Sequence, residues 1–487
     1  MNHSMVPAGN RTFERQGAVF VALLLLGAAY LVFSPVWLPN IAWYRYDNAR
    51  LMQLSLLVTA ALAVAVPGIA TALVLRWQAI ATLPRGLILL FVGGGALSAA
   101  ASAAPHVGAL EVSLVTLLLL FAISMSAVVS RIGARAEQTL AVAIISGAGL
   151  LVLQFWITQC LLLIEGEPFI WTSPFLQFAN VRFFSQYQAY TLLVVLLPLF
   201  LFKVGKVGRL LIYLIAANLW SLQWMVGTRA VWIGLLAAVT AVAVFGGEGR
   251  LKWIRTHLSL IIVGGFIALV FTQAVMPFAE AEPLPRKNAL VGRNWNSMNE
   301  RIVMARGAVE LVTQRPLLGI GPGQFGMNYD STLAAHPHNS ALQLLSEYGV
   351  VAGGAGIGLL LCIVVFAIRR IRANVKLEPT DVALSAPIIM GLTESLFSGN
   401  LIMPHSQILL CVLLGWLLGR RAAVAVQHTQ AEARSSLART TMGSVAMLAA
   451  VVTVILATEY HQVIGSMPFW LQPRPPHFWQ YGRFDAW

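Results

Sequence analysis

Apolar runs separated by short polar breaks extend from end to end of this chain, and one polar stretch, Ala279 to Asn339, is far longer than the others. An apolar run of about 18 residues or more reads as a membrane-spanning helix, because only a helix satisfies its own backbone across the hydrocarbon layer. The pattern predicts thirteen spans, at 17–37, 52–75, 86–105, 109–130, 138–164, 188–202, 209–227, 230–246, 258–278, 341–368, 382–402, 405–419 and 441–458. The first has the look of a signal peptide. No small-residue cleavage site follows Pro39, however, and a second span comes soon after, so it reads as an uncleaved anchor.

Inside the long polar stretch, Ser297, Met298, Asn299 and Glu300 have the spacing of a capping box. They predict a helix from about Met298 to Gln314, stopped by Pro316. At about 100° per residue, Met304, Ala305, Ala308, Val309, Leu311 and Val312 fall within about 80° of Arg301, which therefore sits mid-face among apolar residues. Arg306 and Glu310 fall on the opposite face, spaced to pair. Arg301 is then either a side chain snorkelling to the headgroups or a cation aimed into a cavity to hold an anion. The glycines of Pro316–Phe325 suggest a phosphate loop, but no Gly-Lys-Ser/Thr follows and no strand precedes, so a tight turn is expected.

His336 and His338 come next, in the run His-Pro-His-Asn, with Asn339 placed to cap the tenth span. Histidine can act as a general base near neutral pH; the plainer alternative is a structural role at the interface. No nearby Cys, Asp or Glu completes a zinc set, so no metal site is expected. Arg229 interrupts two spans at their junction, and a charge at such depth points to function unless it anchors in the headgroups. Glu394, within the eleventh span, and Arg182, in a polar loop at 165–187, are weaker members of the same set.

Composition settles the class. The chain is 58% hydrophobic and 10% charged, with mean hydropathy +0.77, whereas a soluble domain is about 25% charged. Residues 1–487 are therefore expected to form a single all-α polytopic membrane domain of about 12–13 transmembrane helices. The net charge of +13 would suggest nucleic acid in a soluble protein, but here the basic residues gather at span ends and no nucleic-acid partner is expected. With the N-terminus cytoplasmic, 20 of the 32 Lys and Arg residues fall on the inner side, as the positive-inside rule requires. That orientation puts the long loop, 279–339, and the short tail, 459–487, in the periplasm of a bacterial inner membrane. Cys160, Cys362 and Cys411 all lie within apolar runs and offer neither a metal site nor a structural disulfide.

Taken together, Thr228-Arg229 at the outer end of a span, the Arg301 helix, the run Pro-Leu-Leu-Gly-Ile-Gly-Pro-Gly-Gln-Phe, and His-Pro-His-Asn ahead of Glu-Tyr-Gly resemble the O-antigen ligase and polymerase superfamily. Its members include O-antigen ligases, Wzy-type polymerases and pilin O-oligosaccharyltransferases, and the resemblance covers about residues 170–420. It implies a GT-C-type glycosyltransferase whose donor is a glycan on undecaprenyl diphosphate and whose chemistry needs no metal or other cofactor. By motif, Arg229 matches the family's arginine after a small hydroxyl residue, Arg301 the arginine ahead of Pro-Leu-Leu-Gly, and His338 the histidine of the His-Asn pair. Gly349 follows nine residues after Asn339, and Ala352, with Gly353 and Gly354 next, stands where a small or hydroxyl residue is often found.

The resemblance implies His338, Arg301 and Arg229 as catalytic residues, with Arg182, His336, Asn339 and Glu394 expected to bind substrate. The expected reaction is en bloc glycan transfer to an acceptor hydroxyl at the periplasmic face, foremost O-antigen ligation to lipid A–core. Glycosylation of pilin or another protein and Wzy-type polymerisation are the alternatives within the family. Residues Phe178 to Gln186 depart from the asparagine-rich pattern of many pilin transferases, and the tail carries no large periplasmic repeat domain. A lipid-linked glycan flippase would also hold a diphosphate with arginines, but it needs charges along a path through the bilayer, and here they cluster at one face.

Overall fold

The computed structural model describes residues 8–41, 45–165, 173–278, 296–328, 336–373, 379–421 and 436–465, and among them there is no strand. The principal helices are α1 (Ala8–Phe33), α2 (Arg45–Ala63), α3 (Pro67–Ala79), α4 (Thr82–Ala100), α5 (Pro105–Ile132), α6 (Ala134–Glu165), α7 (Val181–Thr191) and α8 (Lys206–Val226). They continue as α9 (Arg229–Phe245), α10 (Arg250–Val270), α11 (Asn296–Gln314), α12 (Ser340–Ala373), α13 (Pro379–Glu394), α14 (Pro404–Arg421) and α15 (Ser436–Gly465). The three cysteines are free. The expected loop residues 279–295 and 329–335 and the tail beyond 465 lie outside the described residues, as do the side chains of the capping box at 297–300.

Among the described residues seven helices are long and apolar enough to cross a membrane, and the bent pair α2–α3 would make an eighth. Gly17–Phe33 and Arg229–Phe245 are apolar but shorter. The remaining runs expected as spans, 188–202, 382–402 and 405–419, fall on α7 with the turns after it, on α13 and on α14. Almost every described side chain of α7 and α13 is buried against other helices, not lipid. They carry Gln186, Gln188, Asp381 and Glu394 in the interior, which interior helices tolerate and lipid-facing ones do not.

α5 runs through the middle of the bundle and packs on α14, with α12 on α4, α9 on α13 and α10 on α8. Small residues let these backbones approach, as is usual where lipid gives no hydrophobic drive between helices. A Cβ at Gly234 would sit 2.4 Å from the Met390 carbonyl oxygen, and one at Gly415 would sit 2.5 Å from that of Ala122.

α12 and α13 run antiparallel and define two ends of the bundle. At one end Asp381 bridges Arg370 and Arg420, its Oδ1 accepting from Arg420 Nε at 2.8 Å, and Arg420 reaches on to Glu137, so one ion network joins α6, α12, α13 and α14. At the other end α12 begins, α13 stops, and the candidate site is found.

Arg50, just ahead of the span expected at 52–75, is fully buried within α2. Its guanidinium donates to Gln53, Gln407, the Tyr46 hydroxyl and the Ile402 carbonyl at 2.6–2.7 Å. The reason is that α2 starts at Arg45, ahead of the span expected at 52–75, so Arg50 enters the helix–helix interface where polar partners replace water.

Candidate functional site

Where α7, α9 and α12 begin and α13 ends, the bundle opens into a cleft of about 510 Å³, including its solvent-open part. Asn180, Arg182, Phe183, Gln186, Thr228, Ala230, Arg301, His338, Glu394, Phe397 and Ser398 line it. Four residues singled out from the sequence, Arg182, Arg301, His338 and Glu394, thus meet in one place although more than 200 positions separate the first from the last. Arg229 is the first residue of α9, between Thr228 and Ala230, and its charge acts on Arg301. Three helices of eleven or more residues begin at this cleft, so their exposed N–H groups and positive dipole ends add to the arginines and favour an anion.

Arg182 is not in a loop, as the sequence suggests, but in the first turn of α7. Asn180 caps that helix, its Oδ1 accepting from the Arg182 N–H at 2.8 Å, after Ala179 turns the chain with φ 59. Thr228, the residue before α9, shares a hydrogen bond with Ser185 of α7 at 2.7 Å, fixing the two helix starts side by side.

His338 is held by its surroundings in an uncommon conformation, φ 52. Its backbone N–H donates to Nδ1 of His336 at 3.1 Å, and the two rings meet edge to face at 4.2 Å. His336 itself is fully buried against Gly399, where an added Cβ would lie 2.5 Å from its Cε1. Asn339 does what its sequence position predicts: Oδ1 accepts from the Leu342 N–H at 3.0 Å and caps α12. Ser340 ties this corner to the end of α13, donating from N–H and hydroxyl to the Ser395 carbonyl at 3.0 and 2.9 Å.

Burial, followed by the charges of Arg301 and Arg182, pushes the His338 imidazole down to about 3, so it is unprotonated at neutral pH. Arg301 is shifted downward by burial and by repulsion from Arg182 and Arg229, with Glu394 acting the other way. A guanidinium remains charged through such a shift. The cleft therefore pairs clustered positive charge with a neutral ring able to take a proton.

Arg301 projects from α11 at the border of its buried face, not from the middle. The buried described residues of the helix are Met304, Gly307, Ala308 and Leu311, a stripe rotated by roughly 70° from Arg301. Val309, expected on the apolar face, is exposed, because α11 packs on the side of α12 and leaves Arg301 free to reach the cleft. No ion pair joins Arg306 and Glu310 among the described residues; both are exposed, where water competes well for long charged side chains.

The glycine run is neither a phosphate loop nor a simple turn. α12 is broken at Gly349 (φ 73, ψ 176), which strips carbonyls of their helical partners. The N–H groups of Ile320 and Gly321 donate to the Ser346 and Glu347 carbonyls at 3.0 Å, and Val350 N–H donates to the Pro316 carbonyl at 2.8 Å. Glu347 Oε1 accepts from the Phe325 N–H at 3.2 Å, and Gln324 clamps Ala104 across the groove. Positions 319 and 349 must lack a side chain, since a Cβ at Gly349 would lie 2.2 Å from the Leu317 carbonyl oxygen. Ala352 is small for a related reason: α4 crosses it so closely that a Cβ on Gly94 would lie 2.8 Å from its own.

Gln186 and the Ser185–Thr228 pair went unseen in the sequence because 165–187 reads there as a loop. The available signal was Asn180 as a cap, with Arg182 and Gln186 spaced to share a helical face. Among the described residues no three His, Cys, Asp or Glu side chains stand together as a metal set.

A comparison with curated proteins returns no match. Residues 221–357 match the sequence model of the family described as O-antigen ligase. That stretch carries Thr228, Arg229, Arg301, His336, His338 and the Gly349 break, while Arg182 and Glu394 lie beyond it. The match, together with described helices that are long and apolar enough to cross a membrane, supports a likeness to the O-antigen ligase superfamily over that stretch.

Proposed function

We propose that the protein transfers a preassembled glycan en bloc from undecaprenyl diphosphate to an acceptor hydroxyl at the periplasmic face of the inner membrane, and that the acceptor is lipid A–core. The observation that carries this reading is the meeting of Arg182, Arg301 and the unprotonated His338 in one cleft, with Arg229 at its edge. In this reading the acceptor oxygen attacks the anomeric carbon of the first sugar. The bond from that carbon to the phosphate oxygen breaks, and its electron pair leaves with the lipid diphosphate. His338 takes the acceptor's proton. Arg301 and Arg229, helped by Arg182, hold the diphosphate, since planar forks match phosphate oxygens and stabilise charge that builds as the bond breaks. His336 places His338 through its backbone N–H, and Asn339, next in the chain, caps α12. The arginines supply the charge that a metal would otherwise supply to a diphosphate leaving group.

The test offers the purified chain, in excess EDTA, an undecaprenyl-diphosphate-linked glycan with lipid A–core and pilin in competition. Glycosylated lipid A–core supports the reading in full. Glycosylated pilin, or extension of the lipid-linked glycan itself, keeps the chemistry and changes the acceptor. Activity that returns only when magnesium or manganese is added overturns the metal-free mechanism.

A further inference from the structure

The wall of the cleft formed by the last turn of α13 differs chemically from the rest. Glu394 has 0% of its surface exposed, and neither carboxylate oxygen has a hydrogen-bond partner among the described residues, although Ser398 and Asn400 stand beside it. No ion pair joins it to Arg301 among those residues, although each charge acts on the other. Gln186, 3% exposed, lines the same cleft, and its Oε1 is also unpartnered. Leaving such acceptors unmade in a buried site is costly, more so for a charged group. Both residues sit on the two helices tied to the site's other corners: α7 through Ser185 and Thr228, and the end of α13 through Ser395 and Ser340. Glu394 presents its side-chain oxygens at the negative dipole end of a helix, so this wall favours hydrogen-bond donors over phosphate.

We infer that Glu394 and Gln186 form a saccharide subsite that accepts hydrogen bonds from the hydroxyls of a sugar ring, next to the arginine wall that takes the diphosphate. The cleft is thereby divided into an anion pole, made of arginines and helix N-termini, and a hydroxyl-accepting pole, made of a carboxylate and an amide oxygen. Sugar hydroxyls are donors that suit the three unpartnered oxygens, and charge-assisted hydrogen bonds to a carboxylate are the stronger kind. The ring that binds there belongs either to the glycan on the donor or to the acceptor. The inference rests on the reading that the arginine wall holds a lipid diphosphate.

The test measures binding of three probes to the full chain in detergent: undecaprenyl diphosphate, undecaprenyl diphosphate N-acetylglucosamine, and lipid A–core. The variants are Glu394→Gln, Glu394→Leu and Gln186→Leu, each with its unfolding temperature. The expected result is unchanged affinity for bare undecaprenyl diphosphate and a loss on the order of tenfold for a saccharide probe. Loss confined to the N-acetylglucosamine compound assigns the subsite to the donor sugar, and loss confined to lipid A–core assigns it to the acceptor. The unfolding temperature should hold or rise, because the substitutions at Glu394 remove a buried carboxyl group whose oxygens lack a hydrogen-bond partner. Equal loss for all three probes with a lower unfolding temperature, or no loss for either saccharide, overturns the subsite. Failure of the underlying reading looks different: the wild-type chain would bind no undecaprenyl diphosphate, and both proposals would fall.

Discussion

The ring of His336 holds His338 by its backbone: Nδ1 of the buried histidine accepts the N–H of the other at 3.1 Å, and the rings lie 4.2 Å apart. One histidine of the pair is therefore a support and the other faces the cleft. This predicts an asymmetry. His336→Ala should lower transfer by about tenfold, because His338 then loses one hydrogen bond that holds a strained conformation. His336→Asn, which keeps an acceptor near that N–H, should recover part of it. Turnover rates of the two variants in the glycan-transfer assay check this, and equal loss in both would remove the positioning role.

The clustering of Arg301 with Arg182 and Arg229 predicts that geometry as well as charge matters. Arg229→Lys and Arg301→Lys should each lose about a hundredfold in kcat, since lysine keeps the charge without the planar fork. A headgroup anchor would accept lysine with little change. Near-normal transfer in both variants, measured at matched protein level in membranes, would return these residues to that simpler role.

The break in α12 gives a stability prediction. Gly349→Ala places a Cβ on the Leu317 carbonyl oxygen at a residue with φ 73, and should cost about 1–3 kcal/mol. Gly354→Ala, in the same helix with open space around its Cβ, is the control and should hold or gain stability. Thermal unfolding of the two variants in detergent distinguishes them.

The low position of His338, at about 3, has a direction that can be tested. The folded chain resists protonation there while the unfolded chain takes a proton near the ordinary value of about 6.5, so this group lowers stability as pH falls from about 6.5 towards 3 and has no such effect above that window. The same displacement puts its acid limb in kcat/KM well below 6. Removing a neighbouring positive charge with Arg301→Gln should move that limb towards neutral. A bound diphosphate offsets the same charges, so the limb in kcat should lie above the limb in kcat/KM. pH–rate profiles of wild type and Arg301→Gln provide the measurement, and a wild-type limb near 6.5 that the substitution leaves in place would contradict the arrangement.

The helical membrane class was legible because lipid imposes an apolar run on any helix it touches, as at Thr82–Ala100. α7 and α13 were harder to read, since their neighbours are other helices and their Gln and Glu residues mask the pattern. The His338 corner and the cap at Asn339 could be read locally, from adjacent residues. Glu394 and Gln186 could not be joined from sequence because their meeting depends on where α7 and α13 cross, and nothing in either segment encodes the other. The run Pro316–Phe325 was visible as special, but its partner is the break at Gly349, about thirty positions away.

In the proposed reaction His338 takes the acceptor's proton while the arginines hold the departing diphosphate. The most direct measurement is single-turnover transfer from an undecaprenyl-diphosphate-linked glycan by His338→Ala, with donor binding, membrane insertion and unfolding temperature followed in parallel. A fall of about 10²- to 10⁴-fold in the transfer step is expected, with the other three unchanged. Transfer within a few-fold of wild type would contradict it and remove His338 from the mechanism.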